Sequence, residues 1–67
     1  MIKNEVKELQ KTRDEIVTFL ETVSRLDAIA VEERLDRSVF LNAALNGLLA
    51  FKSCTERLAE LEVFNNA

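Results

Sequence analysis

The sequence predicts an all-α fold, a coiled-coil-like antiparallel hairpin of two helices. Its 67 residues include no proline and one glycine, and the residues that favour helices are abundant. Apolar residues recur at coiled-coil spacing in two separate segments, which indicates two amphipathic helices. Residues 1–67 form one small domain with a modest core, so we expect the hairpin to complete a bundle by oligomerisation or by binding a partner.

The first helix is predicted over about residues 3–27. Successive seam residues lie 3, 4, 3, 4 and 3 positions apart, and charged residues fill the opposite face. The seam consists of Val6, Leu9, Arg13, Ile16, Leu20 and Val23, and in its second half it is widened by Val17, Phe19 and Leu26. Arg13 is the cation on this seam, and it either lies near solvent at a seam end or pairs with an acid across an interface.

A turn is predicted at about residues 28–31, where the apolar seam fails. The same frame continues through Asp27, Ala30, Arg34 and Arg37, and three of these four positions carry a charge. Charged side chains are costly to bury, so we expect the first helix to stop packing here. Because residues 27–37 contain no glycine or proline, one continuous helix of roughly 100 Å remains an alternative.

The second helix is predicted over about residues 32–63. Its seam has spacings of 4, 3, 4, 3, 4 and 3 and consists of Phe40, Ala44, Gly47, Phe51, Cys54, Leu58 and Leu61. Asn46 and Gly47 tolerate the left-handed conformation that ends helices, but the apolar rhythm continues, which favours one helix over a break. A row of small residues, Ala43, Gly47, Ala50 and Cys54, either permits close helix packing or reflects chance in an alanine-rich helix.

Residues 38–51 form an uncharged run in a sequence that is 31% charged. Wrapped on a helix, this run is apolar almost all the way round, and one neighbouring helix covers only about one face. We predict a partner interface centred on eight of its residues: Phe40, Leu41, Ala44, Leu45, Gly47, Leu48, Leu49 and Phe51. The alternative is that the run is only the hairpin core. Asn42 and Asn46 share a face and either fix register as buried amides or form a solvated strip.

The composition offers little to catalysis or metal binding. The chain has no histidine for proton transfer at neutral pH, one cysteine, and no glycine-rich phosphate loop. We therefore expect no enzyme, no catalytic, cofactor-binding or metal-binding residue, and no small-molecule substrate. Cys54 cannot form an internal disulfide and is interpreted as a small buried filler.

The charge balance disfavours a general nucleic-acid binder, whose affinity depends on cations that neutralise phosphates. The net charge is −3. The beginning of the sequence is charged and amphipathic, unlike a signal peptide, and the uncharged run is shorter than the roughly 20 residues that span a bilayer. We expect a cytoplasmic protein that binds another protein or itself.

The segment 42–51 has an Ala-Leu pattern followed by aliphatic residues. Together with the length and the predicted hairpin, it resembles the second helix of the small co-chaperone subunits of bacterial type III secretion systems. Those proteins are helical hairpins that pair with a larger helical-repeat chaperone and help to keep the needle subunit soluble. The resemblance implies a chaperone or adaptor subunit whose apolar second helix docks on a larger protein.

The segment 19–28, Phe-Leu-Glu-Thr-Val-Ser-Arg-Leu-Asp-Ala, and the pair Ser53-Cys54 support a second interpretation. They resemble the plasmid copy-number regulator that dimerises into a four-helix bundle and binds pairs of RNA loops. Extended without gaps, this resemblance implies an RNA-binding face at Lys7, Lys11 and Glu15. A homodimeric RNA-binding regulator is therefore the alternative to the adaptor, and a homo-oligomer with a structural role is a third.

Overall fold

The protein is an antiparallel hairpin of two long helices, which confirms the predicted all-α fold. A computed structural model describes the backbone of residues 2–66 and the side chains of residues 2–64. Helix α1 comprises Ile2–Glu32 and helix α2 comprises Ser38–Asn66. Helix α2 continues through Gly47 without a break, as the apolar rhythm predicted. The antiparallel sense is clear from an ion pair between Arg57 and Glu5 and from another between Arg37 and Asp27.

The position of the turn differs from the prediction. Residues 28–31 are helical, and the turn lies at residues 33–37, five positions later in the chain. The charged seam positions do not end the packing of α1, because Arg37 donates two hydrogen bonds to Asp27, Nε to Oδ1 at 2.9 Å and Nη2 to Oδ2 at 2.8 Å. The seam therefore extends through Asp27 to Ala30, which is 1% exposed. The turn also excludes the alternative of one continuous helix.

Helix α1 ends in a Schellman motif built on a residue other than glycine. The N–H of Leu35 donates to the carbonyl of Ala30 at 2.8 Å, and the N–H of Arg34 donates to the carbonyl of Val31 at 3.2 Å. These bonds satisfy carbonyls that the helix end leaves unpaired. Arg34 has a φ of 57°, a left-handed conformation that glycine adopts at lower cost. The absence of glycine at this position hid the turn from the sequence pattern.

Asp36 lies in the turn and caps the start of the second helix. Its Oδ1 accepts a hydrogen bond from the N–H of Ser38 at 2.9 Å, and this bond holds the pKa of the Asp36 carboxyl below its usual value. The N–H of Leu41 donates to the carbonyl of Arg37 at 2.9 Å, which closes the first turn of α2. An aspartate before the first turn satisfies one of the amides that a helix leaves without a partner at its N-terminus.

The core is thin and follows the two predicted seams. Every seam residue of both helices is buried or half-buried. The described apolar side chains that are buried are Val23, Ala30, Cys54, Leu58 and Leu61. Cys54 fills the core as predicted, and its Sγ donates to the carbonyl of Leu9 at 3.1 Å.

Gly47 packs closely against side chains of α1. A Cβ placed on Gly47 would lie 2.6 Å from Cδ2 and 3.2 Å from Cγ of Leu20, and 3.3 Å from Cδ2 of Phe19. Any larger residue here requires the neighbouring side chains to move. Close packing therefore accounts for the glycine, although Ala50 in the same small-residue row is exposed.

Candidate protein-interaction face

The hairpin divides the predicted interface into two halves. Four of its members form the seam against α1: Gly47 is buried, and Phe40, Ala44 and Phe51 are half-buried. The other four members are exposed, with 52% of Leu41, 56% of Leu45, 56% of Leu48 and 57% of Leu49 accessible. One neighbouring helix thus covers one face of the uncharged run and leaves the leucines uncovered.

The exposed leucines lie beside an apolar groove between the helices. Leu41, Leu45 and Leu48 are spaced by four and three residues, which places them on one stripe of α2. A groove of about 330 Å³ borders this stripe and is lined by Val17, Leu20, Glu21, Ser24, Leu48 and Phe51. We call the surface formed by Val17, Leu41, Leu45, Leu48 and Phe51 the leucine face; Leu49 lies at its outer edge.

The part of this face that belongs to α1 was not included in the sequence-based interface. Val17 is 38% exposed and lies across the groove from Leu48. One feature of the sequence indicated this part of the face: Val17 makes the apolar seam of α1 wider than packing against a single neighbouring helix requires. No feature of the sequence indicated that Glu21 borders this groove, because glutamates are mostly exposed on helix surfaces.

The opposite side of the hairpin is more polar. A groove of about 310 Å³ there is lined by Thr12, Glu15, Ile16, Phe19, Asn46, Gly47 and Ala50. Asn42 and Asn46 are both exposed in the hairpin, which agrees with the interpretation of a solvated strip. Three polar side chains border this groove, Thr12, Glu15 and Asn46, whereas two border the groove beside the leucine face, Glu21 and Ser24.

The hairpin exposes more surface than a compact protein of its mass. Its accessible surface is 5324 Å², whereas a compact monomer of 7.6 kDa is expected to expose about 4,300 Å². The difference of roughly 1,000 Å² compares with about 800 Å² that each partner contributes to a standard protein interface. The excess follows from the elongated shape of the hairpin, which measures 52 × 14 × 14 Å between Cα atoms.

Two charged residues lie next to the leucine face and have weak partners within the chain. Arg13, on the seam of α1, is half-buried, and its Nε lies 3.6 Å from Oδ1 of the adjacent Asp14. Glu21 borders the groove, and its Oε2 lies 3.8 Å from Nη2 of Arg25. Exposed pairs of this kind contribute roughly 0–1 kcal/mol. Both charges can therefore pair with another molecule at little cost.

The remaining charged contacts serve the fold. The hydrogen bonds from Arg37, and then its charge, hold the pKa of the Asp27 carboxyl below its usual value. At the other end of the hairpin, Arg57 bridges Glu60 and Glu5. Within the described part of the chain, no group of three or more histidine, cysteine, aspartate or glutamate side chains could hold a metal ion.

The lysines of the first helix lie on a surface of mixed charge. Lys7 and Lys11 line a shallow depression together with Gln10, Asp14, Glu15 and Thr18. Two cations and two carboxylates therefore share this surface.

The chain matches no family model, no curated protein and no solved structure. None of the described helices has the length and apolar character that crossing a membrane requires.

Proposed function

We propose that this protein is a small protein–protein interaction module whose leucine face docks on an α-helical surface of a partner protein. The observation that carries the proposal is the uncovered leucine stripe of α2 beside an apolar groove. Three anchors spaced by four and three residues match the helix-in-groove mode of recognition. The hairpin is 52 Å long, so a partner helix can run along it for several turns.

Docking would cover the exposed halves of three leucine side chains. Full burial of a leucine side chain stabilises by about 1.5–3 kcal/mol, so covering the exposed half of each contributes roughly 1 kcal/mol. Leu41, Leu45 and Leu48 together then contribute about 3 kcal/mol to docking. This is a substantial share of the stability of a domain of 67 residues.

The partner class that we favour is a larger helical protein, in the role of a chaperone or adaptor complex. The resemblance to type III secretion co-chaperones supports this class, because such subunits dock an apolar second helix on a helical-repeat chaperone. The uncovered leucines lie in the segment 42–51 that carries the resemblance or directly before it. A hairpin that masks its leucines on a larger protein gains stability and avoids aggregation.

The proposal can be tested by photo-crosslinking in the organism that produces the protein. A photoreactive amino acid in place of Leu48 should give a crosslinked product that contains a second, different protein. The matched control carries the same amino acid in place of Lys11, which is exposed on the charged surface of α1. Position 11 should give no such product. If position 48 gives no product beyond a crosslinked pair of identical chains, the adaptor proposal is wrong.

A further inference from the structure

We propose that, when no other partner is bound, a second copy of this chain covers the leucine face. The two hairpins pack face to face with their α1 helices antiparallel, around a two-fold axis at the level of Val17 and Leu48. This inference rests on the proposed function, since it uses the same face, and it names the occupant of that face in the free protein. A different partner would then have to displace the second copy.

One side of the hairpin is close in area to a standard interface. The hairpin measures 52 Å by 14 Å between Cα atoms, and the product of these dimensions gives roughly 730 Å² of projected face per copy. A standard interface takes about 800 Å² from each partner. One hairpin is thus large enough to cover the leucine face of another.

The position of the axis follows from the length of α1. Helix α1 comprises residues 2–32, so Val17 is its central residue and an antiparallel crossing there gives the greatest overlap. A two-fold interface brings each surface against the same surface of the other copy. On α2 this arrangement places Leu48 against Leu48 of the second copy and Leu45 near its Phe51. All of these side chains are apolar, so the leucine face is complementary to itself.

Charge complementarity selects the antiparallel arrangement. Arg13 and Glu21 lie four residues before and four residues after Val17, on one ridge of the helix. The crossing therefore brings each Arg13 opposite Glu21 of the other copy, twice per dimer. A parallel arrangement would place α1 over α2 of the second copy at the same level. The contacts of Leu9 with Cys54 and of Leu20 with Gly47 place Arg13 and Lys52 at about the same level of the hairpin. In the parallel arrangement Arg13 of one copy would therefore lie near Lys52 of the other.

The proposed pair also gives Arg13 the acidic partner that its seam position suggested. Within one chain, Arg13 and Glu21 are eight residues apart on a helix, about 12 Å at the usual rise, and they cannot pair directly. A contact between them can therefore form only between two copies. Any effect of one residue on the other reports the dimer and not the hairpin.

The test is a charge exchange between copies, read by native mass spectrometry and by sedimentation equilibrium. In a dimer of the variant R13E, two carboxylates face each other at each of the two contacts, and in a dimer of the variant E21R two guanidinium groups do. Each variant alone should dimerise with a Kd raised roughly tenfold, because two like-charge contacts replace two attractive ones. An equimolar mixture should form mainly the mixed dimer, because both of its contacts pair a glutamate of the R13E copy with an arginine of the E21R copy. The double variant R13E/E21R should dimerise like the wild type.

Controls separate this inference from the proposed function. The exchange pair K11E and E15K lies on the charged outer surface of α1 and should show no preference for a mixed dimer. Circular dichroism should confirm that every variant keeps its helical content. A wild type that stays monomeric, or a mixture without preference for the mixed dimer, overturns the inference. If the photoreactive amino acid at position 48 still gives a crosslinked product with a different protein in that case, the proposed function stands and only the second copy is excluded.

Discussion

Replacement of Arg34 by glycine should stabilise the hairpin, because Arg34 holds the left-handed position of the turn. Its φ of 57° costs a residue with a Cβ about 1–2 kcal/mol relative to glycine. Glycine loses about 0.5–1 kcal/mol more than other residues in backbone entropy on folding. The net gain for Arg34→Gly is therefore about 0.5–1 kcal/mol, which corresponds to a rise in Tm of about 2–8 °C for a domain of this size.

The matched control for this prediction is Arg34→Ala, which removes the same side chain and keeps the conformational cost. Thermal unfolding followed by circular dichroism, at one fixed protein concentration, should rank glycine above both alanine and the wild type. Equal melting temperatures for the glycine and alanine variants would refute the assignment of Arg34 to the left-handed position. The end of α1 would then have to lie elsewhere.

Two further predictions concern the packing and the ion pair of the hairpin. Gly47→Leu should lower the free energy of unfolding by about 1–2 kcal/mol despite a better helix propensity, because its side chain needs the space that Leu20 occupies. The control Ser53→Leu, at an exposed position, should change the free energy of unfolding little. An unchanged Tm for Gly47→Leu would contradict the close packing at Gly47. The hydrogen bonds from Arg37 lower the pKa of Asp27 in the folded state, so the stabilisation they give is complete above the ordinary pKa of 3.8 and is lost as the pH falls through the lower folded value. Denaturant titrations across this pH range should therefore show that the free energy of unfolding falls less on acidification for Asp27→Asn than for the wild type.

The two helices and their contact could be predicted from the sequence because burial follows a regular spacing. Every position assigned to a seam is buried or half-buried, from Val6 in α1 to Leu61 in α2. The close approach at Gly47 was also foreseeable, since glycine within a helix is costly unless it permits contact. These features depend only on local periodicity, which a single sequence contains.

The turn could not be located in the same way. Asp27 and Arg37 looked like two charges that end a seam, whereas in the folded chain they form one pair across the turn. Such a pair exists only once the chain has reversed direction, and no local pattern indicates it. The left-handed Arg34 removed the usual glycine signal as well.

Only part of the leucine face could be predicted from the sequence, for a related reason. The uncharged run indicated that cover was needed on more than one side, but periodicity alone does not say which residues the second helix takes. In the hairpin, the seam against α1 contains Phe40, Ala44 and Phe51, and the face with the exposed leucines also contains Val17 of α1. The composition of a face shared by two helices depends on how they are rotated against each other.

The most direct test of the leucine face is the solution mass of the purified protein by light scattering, over a concentration series, for three chains. These are the wild type, Leu48→Asp on the leucine face, and Val39→Asp, an exposed apolar position nine residues earlier on the other side of α2. Our account predicts a dimer for the wild type and for Val39→Asp, and a helical monomer for Leu48→Asp. If Leu48→Asp has the same mass as the wild type at every concentration, the leucine face does not join two copies of the chain and the proposed dimer is wrong.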